Sequence, residues 1–297
     1  MNRLLLALGI LPLAAASGFC GASSFGELMQ TEPSVRAAAM ANAYTAEDGD
    51  VLGSYYNPAQ SVESRTLGAM FQRGYADDST GAFAYSVPKI YKGINIGAAL
   101  LYYNAGDIDL YTDDGSMLTM NAEKDWMGTL NFSRQFGEHI SAGANVKLAH
   151  ESLFDTTSDS TFLFDMGVLA KYPLMNVGFA WQNLGGAMTL GDQKEVVPST
   201  WRLGAARAFT RGQDVISASC DLVHNQDTSA NVRMGGEYLY RGMAAFRAGY
   251  EFSNGTDDAT TLNFGFGLMF KGWSFDYAMV PYRTLGTTHR FGISYKM

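Results

Sequence analysis

The sequence predicts an all-β fold: a 14-stranded antiparallel transmembrane β-barrel with a short N-terminal helical plug. Three observations predict it. Apolar and polar residues alternate with period two through most of the chain after residue 65, which is strand patterning. The connections between these segments are by turns short and long, as in barrels whose two rims face different compartments. A single Ala-rich helical stretch precedes them, and no second convincing helix follows.

Composition agrees. Of 297 residues, 47% are hydrophobic and 13% aromatic, only 17% are charged, and 33 are glycine. Mean hydropathy is nonetheless −0.07. That average suits strands apolar on one face and polar on the other. The net charge of −8 argues against a nucleic-acid partner.

Residues 1–22 read as an export signal: Arg3, an apolar run from Leu4 to Ala16, then small residues. The run is too short to anchor in a bilayer. Ala14-Ala15-Ala16 and Cys20-Gly21-Ala22 both offer cleavage sites. Phe19 stands where a lipoprotein signal needs a small residue. If Ala22 is the last residue removed, Cys220 alone remains and there is no disulfide framework.

Residues 23–62 are expected to form the plug. Val35 to Ala46 is Ala-rich and suited to a helix, ending at the Glu47-Asp48-Gly49-Asp50 break and the Asn57-Pro58 turn. Arg36, Met40, Asn57 and Pro58 mark this segment.

Residues 63–297 are expected to form the barrel. Strands are placed near 66–74, 80–88, 93–112, 117–136, 139–154, 160–172, 174–184, 198–209, 213–225, 229–240, 242–253, 259–270, 272–280 and 285–297. In the clearest, Leu262, Phe264, Phe266, Leu268 and Phe270 alternate with Asn263, Gly265, Gly267 and Met269. A soluble sandwich alternates too, so the connections carry more weight. Short ones such as Tyr172-Pro173, Arg241-Gly242 and Lys271-Gly272 fall on one rim, with both termini. Longer ones, including Gly185 to Val197, fall on the other. Aromatics near strand ends (Tyr102, Tyr103, Tyr111, Trp126, Phe136, Trp181, Trp201, Trp273, Tyr282) suit interfacial girdles.

Closure by fourteen strands leaves a lumen that side chains cannot fill alone, which is the physical case for a plug inside. The inward faces carry Lys147, Asp165, Arg202, Arg233, Glu237, Arg247, Glu251, Asp276 and Arg290. Strands ten and eleven, joined at Arg241-Gly242, bring Glu237 near Arg247 and Arg233 near Glu251. Such pairs build a wall. Alternatively, Arg202, Arg233 or Arg247 holds Glu47, Asp48 or Asp50 of the plug, or a substrate carboxylate. No cofactor is expected. The four histidines have no metal-ligand spacing, and no nucleophile elbow or phosphate loop appears. The chain therefore reads as a non-enzyme. A Ser/His pair assembled from separate strands, with His289 as base, is the catalytic alternative.

Several pieces resemble a known family. Arg36-Ala37-Ala38-Ala39-Met40-Ala41-Asn42-Ala43-Tyr44 followed by Asn57-Pro58-Ala59 is similar to the N-terminal signature of the PorV/PorQ proteins, which are related to the FadL outer-membrane transporters. Asn183-Leu184-Gly185, Val197-Pro198, Phe246 to Tyr250 and Thr288-His289-Arg290 follow in the matching order. The last strand resembles the C-terminal signal of barrel assembly, although Met297 replaces the usual aromatic. The resemblance implies a bacterial outer-membrane location in contact with lipid, and binding or passage of hydrophobic small molecules. Its alternative is a type IX secretion accessory that receives secreted proteins at the cell surface. It also implies sideways exit between strands, for which Asn104 and Gly106 are the candidate break.

Overall fold

The computed structural model describes residues 28, 31–74, 78–111, 115–190, 193–252, 262–282 and 286–297; the export-signal expectation lies outside them. A five-residue helix α1 (Val35–Ala39) precedes eighteen described strands. They are β1 (Thr66–Arg73), β2 (Ser79–Tyr91), β3 (Ile94–Asn104), β4 (Asp107–Tyr111), β5 (Met117–Asn121), β6 (Glu123–Phe136), β7 (Ile140–Leu153), β8 (Thr157–Lys171) and β9 (Asn176–Leu184). After these come β10 (Ala187–Leu190), β11 (Gln193–Val196), β12 (Thr200–Arg211), β13 (Asp214–Asn225), β14 (Asn231–Tyr240), β15 (Ala244–Phe252), β16 (Asn263–Phe270), β17 (Trp273–Tyr282) and β18 (Gly286–Lys296). Fourteen close into one barrel in the order β1-β18-β17-β16-β15-β14-β13-β12-β9-β8-β7-β6-β3-β2. The remaining four form two hairpins, β4/β5 and β10/β11, at the long-loop rim.

These hairpins are where the strand map differs from the sequence reading. The long segments expected at 93–112 and 117–136 each divide into a barrel strand and a hairpin strand, and the loop expected at Gly185 to Val197 contains β10/β11. Alternation continues past the rim because a hairpin there still pairs its backbone, so periodicity does not show where the wall ends.

Alternation sorts the two faces. Phe246 (60% exposed), Phe264 and Phe266 point outward, as does Cys220. Their inward neighbours Arg247 and Asn263 are buried. Two girdle candidates are corrected: Tyr103 and Tyr282 face the lumen and pack in its apolar cluster.

Residues 34–62 fill the lumen. The expected helix over Val35 to Ala46 stops at Ala39, because Ala41 (φ 51°) and Asn42 (φ 58°) adopt left-handed backbone. The wall supplies the replacement bonds: Asp221 Oδ2 accepts from Tyr44 N (2.8 Å), Thr45 N (2.9 Å) and Thr45 Oγ1 (2.6 Å). Arg202 Nη2 donates to the Asn42 carbonyl at 3.1 Å. Helical propensity is a weak prior that such tertiary partners override.

A belt of inward glycines brings the plug backbone onto the wall. A Cβ on Gly143 would lie 2.0 Å from the Pro58 carbonyl oxygen, and one on Gly178 would lie 2.2 Å from the Thr45 carbonyl oxygen. On Gly249 it would lie 2.1 Å from the Met40 carbonyl carbon. Gly204 meets Thr45, Gly235 meets Met40, Gly265 meets Ala39, Gly292 meets Val35 and Gly68 meets Val51. Several belt members are direct cross-strand partners: Gly143 with Gly167, Gly178 with Gly204, Gly235 with Gly249. Any side chain at these positions would hold the plug off the sheet.

Candidate functional site

The lumen is layered. In the half towards the short-turn rim, Arg36 of α1 forms a fork with Glu237 of β14: Nε to Oε2 at 2.9 Å and Nη2 to Oε1 at 2.8 Å. Arg247 of β15 donates to the same Glu237 (2.5 Å) and to Asp276 of β17 (2.6 Å). Glu237 and Arg247 are direct cross-strand partners, as are Arg233 and Glu251. Paired guanidinium and carboxylate groups tolerate burial that neither tolerates alone.

In the half towards the long-loop rim, three arginines from three strands converge on Glu32, just before α1. Arg202 Nη1 and Arg233 Nη1 each lie 2.6 Å from Glu32 Oε1, and Arg290 Nη1 donates to the Glu32 carbonyl at 2.8 Å. Glu251 pairs with Arg233 at 3.3 Å. Arg202 is fully buried, with its guanidinium 5.1 Å from the centre of the Tyr56 ring. Packed into the same buried cluster, from the N-terminal segment, inward strand faces and the outer hairpin, are Leu28, Leu101, Tyr103, Met127, Leu163, Met188 and Val280. This half of the lumen is apolar above and cationic below.

Glu47, Asp48 and Asp50 do not go to the wall arginines proposed for them. Glu47 lies 3.5 Å from Arg36, Asp48 pairs with Lys171, and Asp50 accepts from Ser34 Oγ. The reason is local: Arg36 carries its own cation into the lumen, while Asp48 reaches the end of β8. Met40 packs on Gly235 and Gly249. Asn57 Nδ2 donates to Thr45 O (2.9 Å) and Val168 O (3.1 Å), and the Pro58 carbonyl accepts from Asn131 (2.9 Å).

Asn104 and Gly106 sit where β3 passes into β4. Ala105 N donates to Glu123 O at 3.0 Å and Ala122 N to Gly106 O at 2.9 Å, so the ladder towards β6 and β5 is unbroken there. On the other flank, β2 begins at Ser79, opposite Asn104. Asn104 Oδ1 accepts from Gly106 N and Asn121 Nδ2, which closes a turn.

His289 lies on the outer face with Nδ1 2.7 Å from Tyr277 Oη, not beside a serine. The Ser/His contact present is His150 Nδ1 to Ser160 Oγ at 2.8 Å, also outside and stacked on Trp126. Among the described residues no carboxylate is hydrogen-bonded to that imidazole, and no acidic, cysteine and histidine cluster has metal-binding geometry. Sequence reasoning missed Glu32 and Asp221. Asp221 shares the inward period of Ser217 and Ser219 and was readable; Glu32 lies in no periodic element.

A closed barrel, apolar outside, charged inside and blocked by its own N-terminal segment, has the architecture of plugged outer-membrane barrels. No family model and no curated protein matches the chain. Among solved structures it is similar to a Pseudomonas aeruginosa FadL homologue (TM-score 0.61, 12% identity, covering 91% of this chain and 99% of that one). It is similar also to the Ralstonia pickettii toluene transporter TbuX (0.62, 13%, 91% and 99%) and the Pseudomonas putida toluene transporter TodX (0.63, 12%, 91% and 98%). At such identities the likeness establishes a shared FadL-type fold.

Proposed function

We propose that the chain is a bacterial outer-membrane protein that binds hydrophobic small molecules in the outer half of its lumen and passes them across the membrane, without bond chemistry. One observation carries this reading: Leu101, Tyr103, Met127, Leu163 and Val280 form a buried apolar cluster in the outer half of the lumen, above the plug. A water-filled pore needs polar walls, whereas an apolar chamber favours an apolar guest. The outward faces meet lipid. The fold shared with a toluene transporter supports the same class of cargo. The test is purification in detergent followed by mass spectrometry of copurifying molecules, together with uptake of a radiolabelled hydrocarbon into liposomes. Leu163→Asp, which places a carboxylate in the chamber, is expected to abolish uptake while the barrel still folds. Uptake at the wild-type rate would overturn the proposal.

A second reading has its own observation. The β4/β5 hairpin stands beyond the rim with Leu110, Tyr111, Met117 and Leu118 exposed, Tyr111 at 77%. Such a surface suits a protein partner. The ordered PorV/PorQ-like pieces point to a type IX secretion accessory. Copurification of an exported protein, lost when Tyr111 and Leu118 become serine, would favour this reading over transport.

A further inference from the structure

The two rims of the barrel differ in charge. The long-loop rim exposes Asp107, Asp109, Asp155 and Asp227 against Lys124 and Lys194. At the short-turn rim cations prevail over Glu63, Glu138 and Asp214, and five of them are seated alike. Arg134 and Arg207, on the outward faces of β6 and β12, place their guanidiniums 5.4 Å and 4.3 Å from the ring centres of Phe136 and Phe209. Those rings lie two residues nearer the turn, so both cations are drawn out of the apolar band towards the rim. In the turns themselves, Lys92, Arg241 and Lys271 each lie 5.1 Å from a ring, those of Tyr91, Tyr240 and Phe270. All five rings are exposed, from 38% at Tyr240 to 68% at Phe270. The other cation–ring contacts among the described residues, made by Arg36, Lys147 and Arg202, are inside the lumen.

The turn cations occupy unfavourable backbone. Lys92 (φ 47°), Arg241 (φ 48°) and Lys271 (φ 49°) are left-handed, and each precedes a left-handed glycine. Hairpin turns of this shape favour Asn, Asp or Gly at that first position, where a long cationic side chain brings the backbone no advantage. Among the described residues none of the five cations has an ion-pair partner. The fold's own contacts therefore give no reason for cations there.

We propose that the short-turn rim is a docking belt for anionic phospholipids, whose phosphates are held by Lys92, Arg134, Arg207, Arg241 and Lys271. The proposal rests on the reading that the barrel crosses a membrane, and it adds which lipid class meets which rim. Outward rings at a strand end sit at headgroup level. A guanidinium there offers a phosphate two parallel N–H donors, and an ammonium offers a point charge. A zwitterionic headgroup brings its own cation and gains less from the rim than a net anionic one. The five pairs belong to β2, β6, β12, β14 and β16, which are spread around the closed sheet. A protein partner would meet one sector of such a ring, whereas a lipid leaflet meets all of it.

The test is native mass spectrometry of the full chain in neutral detergent, titrated with dioleoyl phosphatidylglycerol or dioleoyl phosphatidylcholine. These share acyl chains and phosphate and differ in net charge. Phosphatidylglycerol is expected to bind at least about fivefold tighter, the gain from one cation at an anionic surface. Replacing all five cations by glutamine should bring the two lipids within about twofold of each other. The combined variant Lys92→Asn, Arg241→Asn and Lys271→Asn guards against misfolding, because asparagine suits left-handed backbone. It should retain fewer phosphatidylglycerol molecules while losing its folded gel migration at the same temperature as wild type or a higher one. Lys124→Gln with Lys194→Gln, at the opposite rim, should leave the preference unchanged. Equal binding of both lipids by wild type, or an undiminished preference in the asparagine variant, overturns the belt and leaves the membrane reading standing. A chain that stays dispersed without detergent and retains neither lipid overturns both.

Discussion

Gly249→Ala tests how the plug is held. The new methyl carbon would lie 2.1 Å from the Met40 carbonyl carbon and 2.3 Å from Ala41 N, both backbone atoms. Contact requires ~3.5–4.0 Å, so plug and wall must separate by about 1.5 Å. Bonds of 2.7–2.9 Å do not survive such a shift. Those at risk are Asn263 Nδ2 to Ala38 O (2.7 Å) and the Tyr44 and Thr45 amides to Asp221 (2.8 and 2.9 Å). Overpacking costs about 1–3 kcal/mol, and losing charged hydrogen bonds a further ~1.5–3 kcal/mol. The control is Gly236→Ala on β14, where the added carbon meets nothing nearer than Ser217 O at 3.7 Å. Gly249→Ala should lower the temperature at which the barrel loses its folded migration on detergent gels, and speed amide exchange at Tyr44 and Thr45. Gly236→Ala should do neither. If the two behave alike, the belt does not clamp the plug.

Further outcomes follow from the polar interior. Asp221→Asn leaves the barrel closed but weakens three plug contacts, so exchange at Tyr44 and Thr45 should rise about tenfold or more by mass spectrometry. Arg247→Ala leaves Asp276 without its Arg247 partner and Glu237 with Arg36 alone, and should destabilise the barrel by about 3–5 kcal/mol in denaturant titration. At the loop rim, the Asn121 amide and then the Lys124 ammonium hold the Asp155 carboxyl below the usual aspartate range. A depressed folded pKa gives stability that is present above the unfolded value and lost as pH falls through the folded one. Asn121 amide protection should therefore persist at neutral pH and fall only below about pH 4, near the ordinary aspartate pKa. Asp155→Asn should remove the pH dependence.

Much of the fold was legible because a barrel strand has a strict period of two. One face is apolar and the other carries charge, so inward positions such as Arg233, Glu237, Arg247 and Glu251 could be assigned from alternation, and their proximity, directly across or diagonally, from the short connection at Arg241-Gly242. Rim positions were less legible. Tyr103 and Tyr282 turn inward, and β4/β5 and β10/β11 extend past the wall, because backbone pairing does not record where the membrane stops.

The plug was legible as a segment but not as a shape. Its Ala-rich composition favours a helix, yet the chain turns at Ala41 and Asn42 because Asp221 and Arg202 take up its backbone donors and acceptor. The sequence determined a closed sheet with one greasy and one polar face, since a two-residue period is local and repeats in every strand. Only the tertiary structure decided which glycines touch the plug, and that Glu32 rather than Glu47, Asp48 or Asp50 meets Arg202 and Arg233. Those contacts join residues up to 258 positions apart, and their partners are set by how fourteen strands close around one segment.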